Sequence, residues 1–183
     1  MTAGAQRAML EALAAGGPSP DRADRLGLFG QFVGSWDVEV ETASADGGWS
    51  RATAEWHFGW ILEGRAVLDV WICEPIDYGV SIRLYEAARD RWRSVWVGPK
   101  LGVLRTFDVE ARPDEIVLRG TDDSGRPMWW VFSEVTPESF RWRAQVFDAR
   151  EWRIVQRMWS RRRPGKPRGS AEPLQADPVR GRA

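Results

Sequence analysis

The chain has 183 residues, 43% of them apolar, and a formal net charge of zero. That is the size of one domain with a short appendage at either end, with enough apolar content for a real core. Zero net charge argues against a general nucleic-acid binder, although the charge is uneven, with seven Lys or Arg against two Asp or Glu from Arg161 onward.

The single cysteine, Cys73, rules out an intrachain disulfide and suits a reducing compartment. There is no Asn, hence no N-glycosylation acceptor. The N-terminus lacks a signal-peptide pattern, and no apolar run approaches the roughly 20 residues that span a bilayer. The expected location is the cytoplasm, with no membrane partner. Twelve tryptophans are the most telling bias, because indoles dominate the energetics of cores and ligand sites.

In chain order, Ala5 to Ala15 read as a short helix with Ala8, Met9, Leu10 and Leu13 as its apolar members. Gly16-Gly17-Pro18-Ser19-Pro20 breaks it. Asp21 or Asp24 is positioned to cap a second helix running into Leu26, Leu28, Phe29, Phe32 and Val33. Residues 1–27 are therefore an N-terminal helical segment, and two such helices are expected to cover the open end of a barrel.

From Gly34 the grammar changes to short Val-, Ile-, Trp-, Phe- and Thr-rich segments separated by turn clusters. Strands are predicted at Ser35–Thr42, Ser50–Phe58, Arg65–Cys73, Val80–Tyr85, Trp92–Val97, Val103–Glu110, Glu115–Arg119, Met128–Val135, Ser139–Phe147 and Trp152–Arg161. Turn chemistry lies between them, in Asp46-Gly47-Gly48, Pro75 to Gly79, Asp122 to Gly125 and Asp148 to Arg150. About ten strands without an intervening helix make an all-β antiparallel meander, and closing it into an up-and-down barrel removes both edges. The barrel is assigned to residues 28–162. Residues 163–183, rich in Pro, Gly and Arg, are expected to be a disordered basic tail.

Gly34-Ser35-Trp36-Asp37 opens the first strand and Met158-Trp159-Ser160-Arg161 closes the last. This resembles the calycin superfamily of lipocalins, fatty-acid-binding proteins and nitrobindins, where a Gly-x-Trp indole packs against a basic side chain of the final strand. The run Trp60 to Trp71, with Gly64-Arg65 within it, is similar to bacterial calycin-like domains of unknown function. So are Tyr78 to Tyr85, Trp92 to Trp96 and Phe140 to Arg143. The resemblance spans about residues 28 to 162 and implies the barrel. Nitrobindin-like barrels hold haem through a histidine on a late strand, and Met128 to Arg161 contain none. No cofactor is expected.

Hydrolase elbows, phosphate loops and dinucleotide fingerprints are absent from the sequence. With one His and one Cys, no His/Cys metal cluster can be assembled, and no metal is expected. Any Ser-His-Asp triad would run through His57, and nothing in its sequence surroundings suggests a paired Ser. The period of two places Arg65, Val67, Asp69 and Trp71 on one face of their strand. If that face points inward, it puts an Arg, a carboxylate and an indole in the barrel, with Arg83 of the next strand close by. A buried Arg needs a carboxylate, and Asp69 is the candidate. The pair could orient a ligand, form a structural ion pair or face water. Trp96, Trp130, Phe132, Phe140 and Trp142 alternate so as to line one surface, either as filled core or as cavity wall. His57 alternates with Glu55 and Thr53, opposite Trp56 and Phe58, which puts it outside if the Trp56 side is core.

These residues point to a barrel that binds a small hydrophobic or aromatic molecule, with Arg65, Asp69, Trp71, Arg83, Trp96, Trp130, Phe132 and Trp142 as candidate contacts. Tyr78, Tyr85 and Gln156 are further polar contacts with no stronger claim. The alternative is a cofactor-free cyclase, isomerase or hydratase in the same cavity, with Asp69 or His57 as its acid–base group. A homodimer is an allowed assembly.

Overall fold

A computed structural model describes residues 2–164; the expected basic tail lies almost wholly outside them. Ten strands form the barrel: β2 (Gly34–Ala43), β3 (Trp49–Ile61), β4 (Ala66–Cys73), β5 (Asp77–Glu86), β6 (Arg91–Gly98), β7 (Val103–Ala111), β8 (Glu115–Thr121), β9 (Pro127–Ser133), β10 (Ser139–Asp148) and β11 (Glu151–Arg162). Each pairs antiparallel with the next, and β11 pairs back onto β2, from Gln156 opposite Thr42 to Arg162 opposite Trp36. The sheet is thus a closed meander, with no free barrel edge. A two-residue strand, β1 (Ala14–Ala15), pairs with Ile61 and Trp60 at the end of β3. No described helix is long and apolar enough to cross a membrane.

Alternation fills the interior from every strand. Trp36, Val38 and Val40 of β2 point inward while Asp37 and Glu39 face out, and Phe140, Trp142 and Ala144 do the same on β10. The helix α2 (Ala23–Gly30) plugs one end, because Leu26 and Phe29 share its inner face and Phe32 follows one turn later, all fully buried. Gly30 is required there, since a Cβ would lie 2.6 Å from the Trp60 ring. Burying each of these side chains contributes about 1.5–3 kcal/mol.

The other helix, α1 (Ala3–Leu13), buries none of its residues, and Met9 and Leu10 are exposed. Only one of the two predicted helices therefore covers a barrel end. The expected aspartate cap is also absent: Arg22 occupies the N-cap of α2 without a side-chain bond. Asp21 instead accepts a hydrogen bond from Arg65 at 2.9 Å.

The Gly-x-Trp signature has a direct physical basis. The Arg162 guanidinium lies 4.0 Å from the Trp36 ring centroid and donates to the carbonyls of Val33 and Gln31 at 2.7 and 2.8 Å. Gly34 has a φ of +132°, and a Cβ there would sit 2.6 Å from the same guanidinium. The basic partner on the final strand is thus Arg162. Ser160 points inward, so the residue two further on does too, while Arg161 faces solvent.

Candidate functional site

The barrel interior divides into two levels. Next to α2, Phe29, Phe32, Phe58, Phe132 and Phe140 pack ring against ring, with centroids 4.9 to 6.4 Å apart. Into this cluster β5 projects Arg83, 1% exposed, with its guanidinium 5.0 Å from the Phe29 centroid and 5.5 Å from that of Phe58. Its counter-charge is Asp69 of β4, fully buried and in direct contact through Oδ2. The other Asp69 oxygen accepts the Trp56 indole N–H at 2.7 Å. Burial pushes the Arg83 guanidinium down from its ordinary value, so its charge depends on that carboxylate.

Beyond the ion pair, toward the end opposite α2, five indoles ring the interior. Trp71 meets Trp96 (6.2 Å between centroids), Trp96 meets Trp130 (5.9 Å), Trp130 meets Trp142 (5.3 Å) and Trp142 meets Trp56 (6.3 Å), all edge to face. The ring closes through β3 and β4, where Trp56 and Trp71 are register partners. Within it lies a cavity of about 140 Å³, completed by Ser81, Asp77, Gln156 and Met158, with Arg105, Ile76 and Leu101 also on its wall. Leu101 is 62% exposed, so the cavity reaches the surface beside the turn between β6 and β7. Arg105 is held by Asp123 at 2.9 Å. The N–H groups of Trp71 and Trp142 are buried without a partner among the described residues.

The structure thus brings Trp71, Trp96, Trp130 and Trp142 together around one space, whereas Asp69 and Arg83 do not line it and pair within the phenylalanine level. Phe132 lies in the packed phenylalanine level instead. Arg65, expected to share the inward face of Asp69, is outside the barrel. The β3–β4 turn carries Leu62, Glu63 and Gly64 at φ of 52°, 57° and 75°, and the strand begins only at Ala66. Arg65 therefore belongs to the turn and pairs with Asp21. Gly64 serves the same junction: a Cβ would lie 2.2 Å from the Gly17 carbonyl oxygen, and its own carbonyl accepts the Ser19 N–H.

His57 is also on the outer surface. Its Nδ1 lies 2.9 Å from Ser35 Oγ and its Nε2 3.1 Å from Glu55 Oε2. A paired serine does exist, contrary to the reading of the sequence, because β2 and β3 set Ser35 opposite His57. Glu55 is shared with Arg163, and the group faces solvent away from the cavity. A broad outer groove over β2, β3, β10 and β11 is lined by charges of both signs, among them the pairs of Arg163 with Asp37 and Glu55 and of Arg141 with Glu134.

Sequence reasoning missed Trp56, Asp77, Ser81 and Arg105. For Arg105 a signal was present, in its alternation with Val103 and Phe107.

A closed antiparallel barrel with one end plugged and an aromatic cavity toward the other defines a calycin-like fold. Comparison with solved structures agrees. The S-type phycobiliprotein lyase CPES from Guillardia theta superimposes with a TM-score of 0.55 at 11% identity, over 76% of this chain and 93% of that one. Rv2717c from M. tuberculosis gives 0.52 at 10% identity, over 80% and 99%. At such identities the likeness concerns the fold alone. No protein-family model and no curated protein matches the chain in sequence.

Proposed function

We propose that the barrel binds a small hydrophobic or aromatic molecule in the cavity ringed by Trp56, Trp71, Trp96, Trp130 and Trp142. The observation that carries this reading is the contrast within one interior: the level next to α2 is filled, whereas five large side chains at the next level stand around about 140 Å³. An apolar cavity of about 150 Å³ takes benzene, while drug-sized ligands occupy about 300 Å³ or more. The ligand, or the part of it inside, is therefore of single-ring size, with an exit past Leu101.

Neither acid–base candidate read from the sequence is placed to act in the cavity. Asp69 is engaged by Arg83 and Trp56, and His57 is on the outside, so neither presents a free proton acceptor to the cavity.

Native mass spectrometry of freshly purified protein, combined with titration of tryptophan emission by single-ring aromatic compounds, tests the proposal. A stoichiometric compound released on denaturation, or a saturable emission change at one equivalent, is the expected result. A clean apo mass with no saturable response to any ring would overturn it.

A further inference from the structure

We infer that the ligand is a small organic cation, an amine or quaternary ammonium on a compact apolar or aromatic body, and that Asp77 supplies its counter-charge. The inference rests on the cavity being a ligand site and names the chemistry it selects.

The argument is one of charge and room. Among the described residues, three carboxylates bear on the barrel interior or its mouth. Asp69 is matched by Arg83, and Asp123 by Arg105. Asp77, on the cavity wall and only 4% exposed, has no cationic side chain in ion-pair contact among the described residues. Its Oδ1 accepts the Tyr78 backbone N–H at 2.8 Å. Lys100, in the β6–β7 turn, is engaged by the Glu74 carbonyl. The wall therefore presents one carboxylate with no cationic partner among the described residues, a position that a ligand cation would fill.

The backbone makes space for this carboxylate. Gly79 and Gly98 occupy facing inward positions next to the Val80–Val97 pair. A Cβ on Gly98 would lie 2.5 Å from Asp77 Oδ2 and 3.0 Å from Trp96 Nε1, and one on Gly79 would lie 2.6 Å from the Trp96 ring. Two bare positions thus let the Asp77 carboxylate and the Trp96 indole lean together over the wall. A carboxylate beside a ring of indoles is the chemistry that recognises organic ammonium groups, because the indole face attracts cations and the carboxylate neutralises them. An anionic ligand would meet Asp77 unfavourably and find Arg105 already taken.

Calorimetric titration of the full chain with benzylammonium, phenyltrimethylammonium, benzyl alcohol, toluene and benzoate, on wild type and Asp77→Asn, tests this. The ammonium compounds should bind at least roughly tenfold more tightly than benzyl alcohol, with benzoate weakest. In Asp77→Asn that advantage should disappear while toluene binds as in wild type, which also reports an intact barrel. Equal binding of benzyl alcohol and benzylammonium, preference for benzoate, or an ammonium advantage that survives in Asp77→Asn would each overturn the cation and leave the cavity standing. Failure of every probe, toluene included, would remove both.

Discussion

The α2 end of this barrel is filled with phenylalanines, whereas the level beyond the Asp69–Arg83 pair is walled with tryptophans that leave a space. Both levels are aromatic and both are buried, yet their rings do different things. Phe29, Phe32, Phe58, Phe132 and Phe140 carry no polar atom and pack to solid density against a helix brought in to complete them. The five indoles of the next level enter from five strands and meet edge to face around a space. Aromatic content in a barrel therefore says little about whether it is hollow; Trp36 and Trp92 also pack in the filled level, against Phe140 and Phe29, so the plug matters more than the ring type.

The ion pair lies where the two levels meet, and breaking it should have an effect as large as any. Arg83→Met leaves Asp69 as an unpaired buried charge and should cost about 3–5 kcal/mol, read as a lowered urea midpoint. Asp69→Leu combined with Arg83→Met should recover most of that loss. A double variant as unstable as the single one would mean that the pair does more than neutralise itself.

A direct comparison of the levels comes next. Phe132→Ala opens a hole in solid packing and should cost about 3–5 kcal/mol. Trp130→Phe, beside a space that exists already, should cost less and should weaken binding of aromatic probes. Equal losses of stability would mean that the cavity is packed in solution.

Smaller again is Gly79→Ala. The added methyl meets the Trp96 ring and the Val97 carbonyl, and overpacking of this kind costs about 1–3 kcal/mol. The variant should fold, with a changed tryptophan emission and a weakened ring site. Unchanged probe binding would remove Trp96 from the site.

These effects follow from features that differ in how far the sequence displays them. All ten barrel strands are legible, because alternation and turn chemistry are local properties of the chain. The tryptophan alternation likewise marks Trp96, Trp130 and Trp142 as inward. Asp77 is hidden because Pro75 to Gly79 read as one turn, whereas β5 begins inside that cluster and sets Asp77, Gly79, Ser81 and Arg83 on a common inward face. Where a strand begins depends on what its neighbour offers to pair with, and that partner lies far away in the chain. The separation of Phe132 from Trp130 into filled and hollow levels depends on α2, whose docking no strand pattern reports.

Arg65 should give the smallest effect and is the sharpest test of where the binding site ends. By alternation alone it shares a face with Asp69, and it would then be a first choice for a ligand contact. The left-handed turn at Leu62 to Gly64 delays the strand by one residue and leaves the guanidinium outside, 44% exposed and on Asp21. An exposed pair of this kind is screened by solvent and contributes little to global stability. Its role is to tie the N-terminal segment to the β3–β4 turn, alongside the Ser19–Gly64 backbone bond. Arg65→Ala should leave the urea midpoint and aromatic-probe affinity as in wild type, while speeding limited proteolysis before α2. A several-fold loss of probe affinity at unchanged stability would place Arg65 at the cavity and extend the site to the α2 end of the barrel.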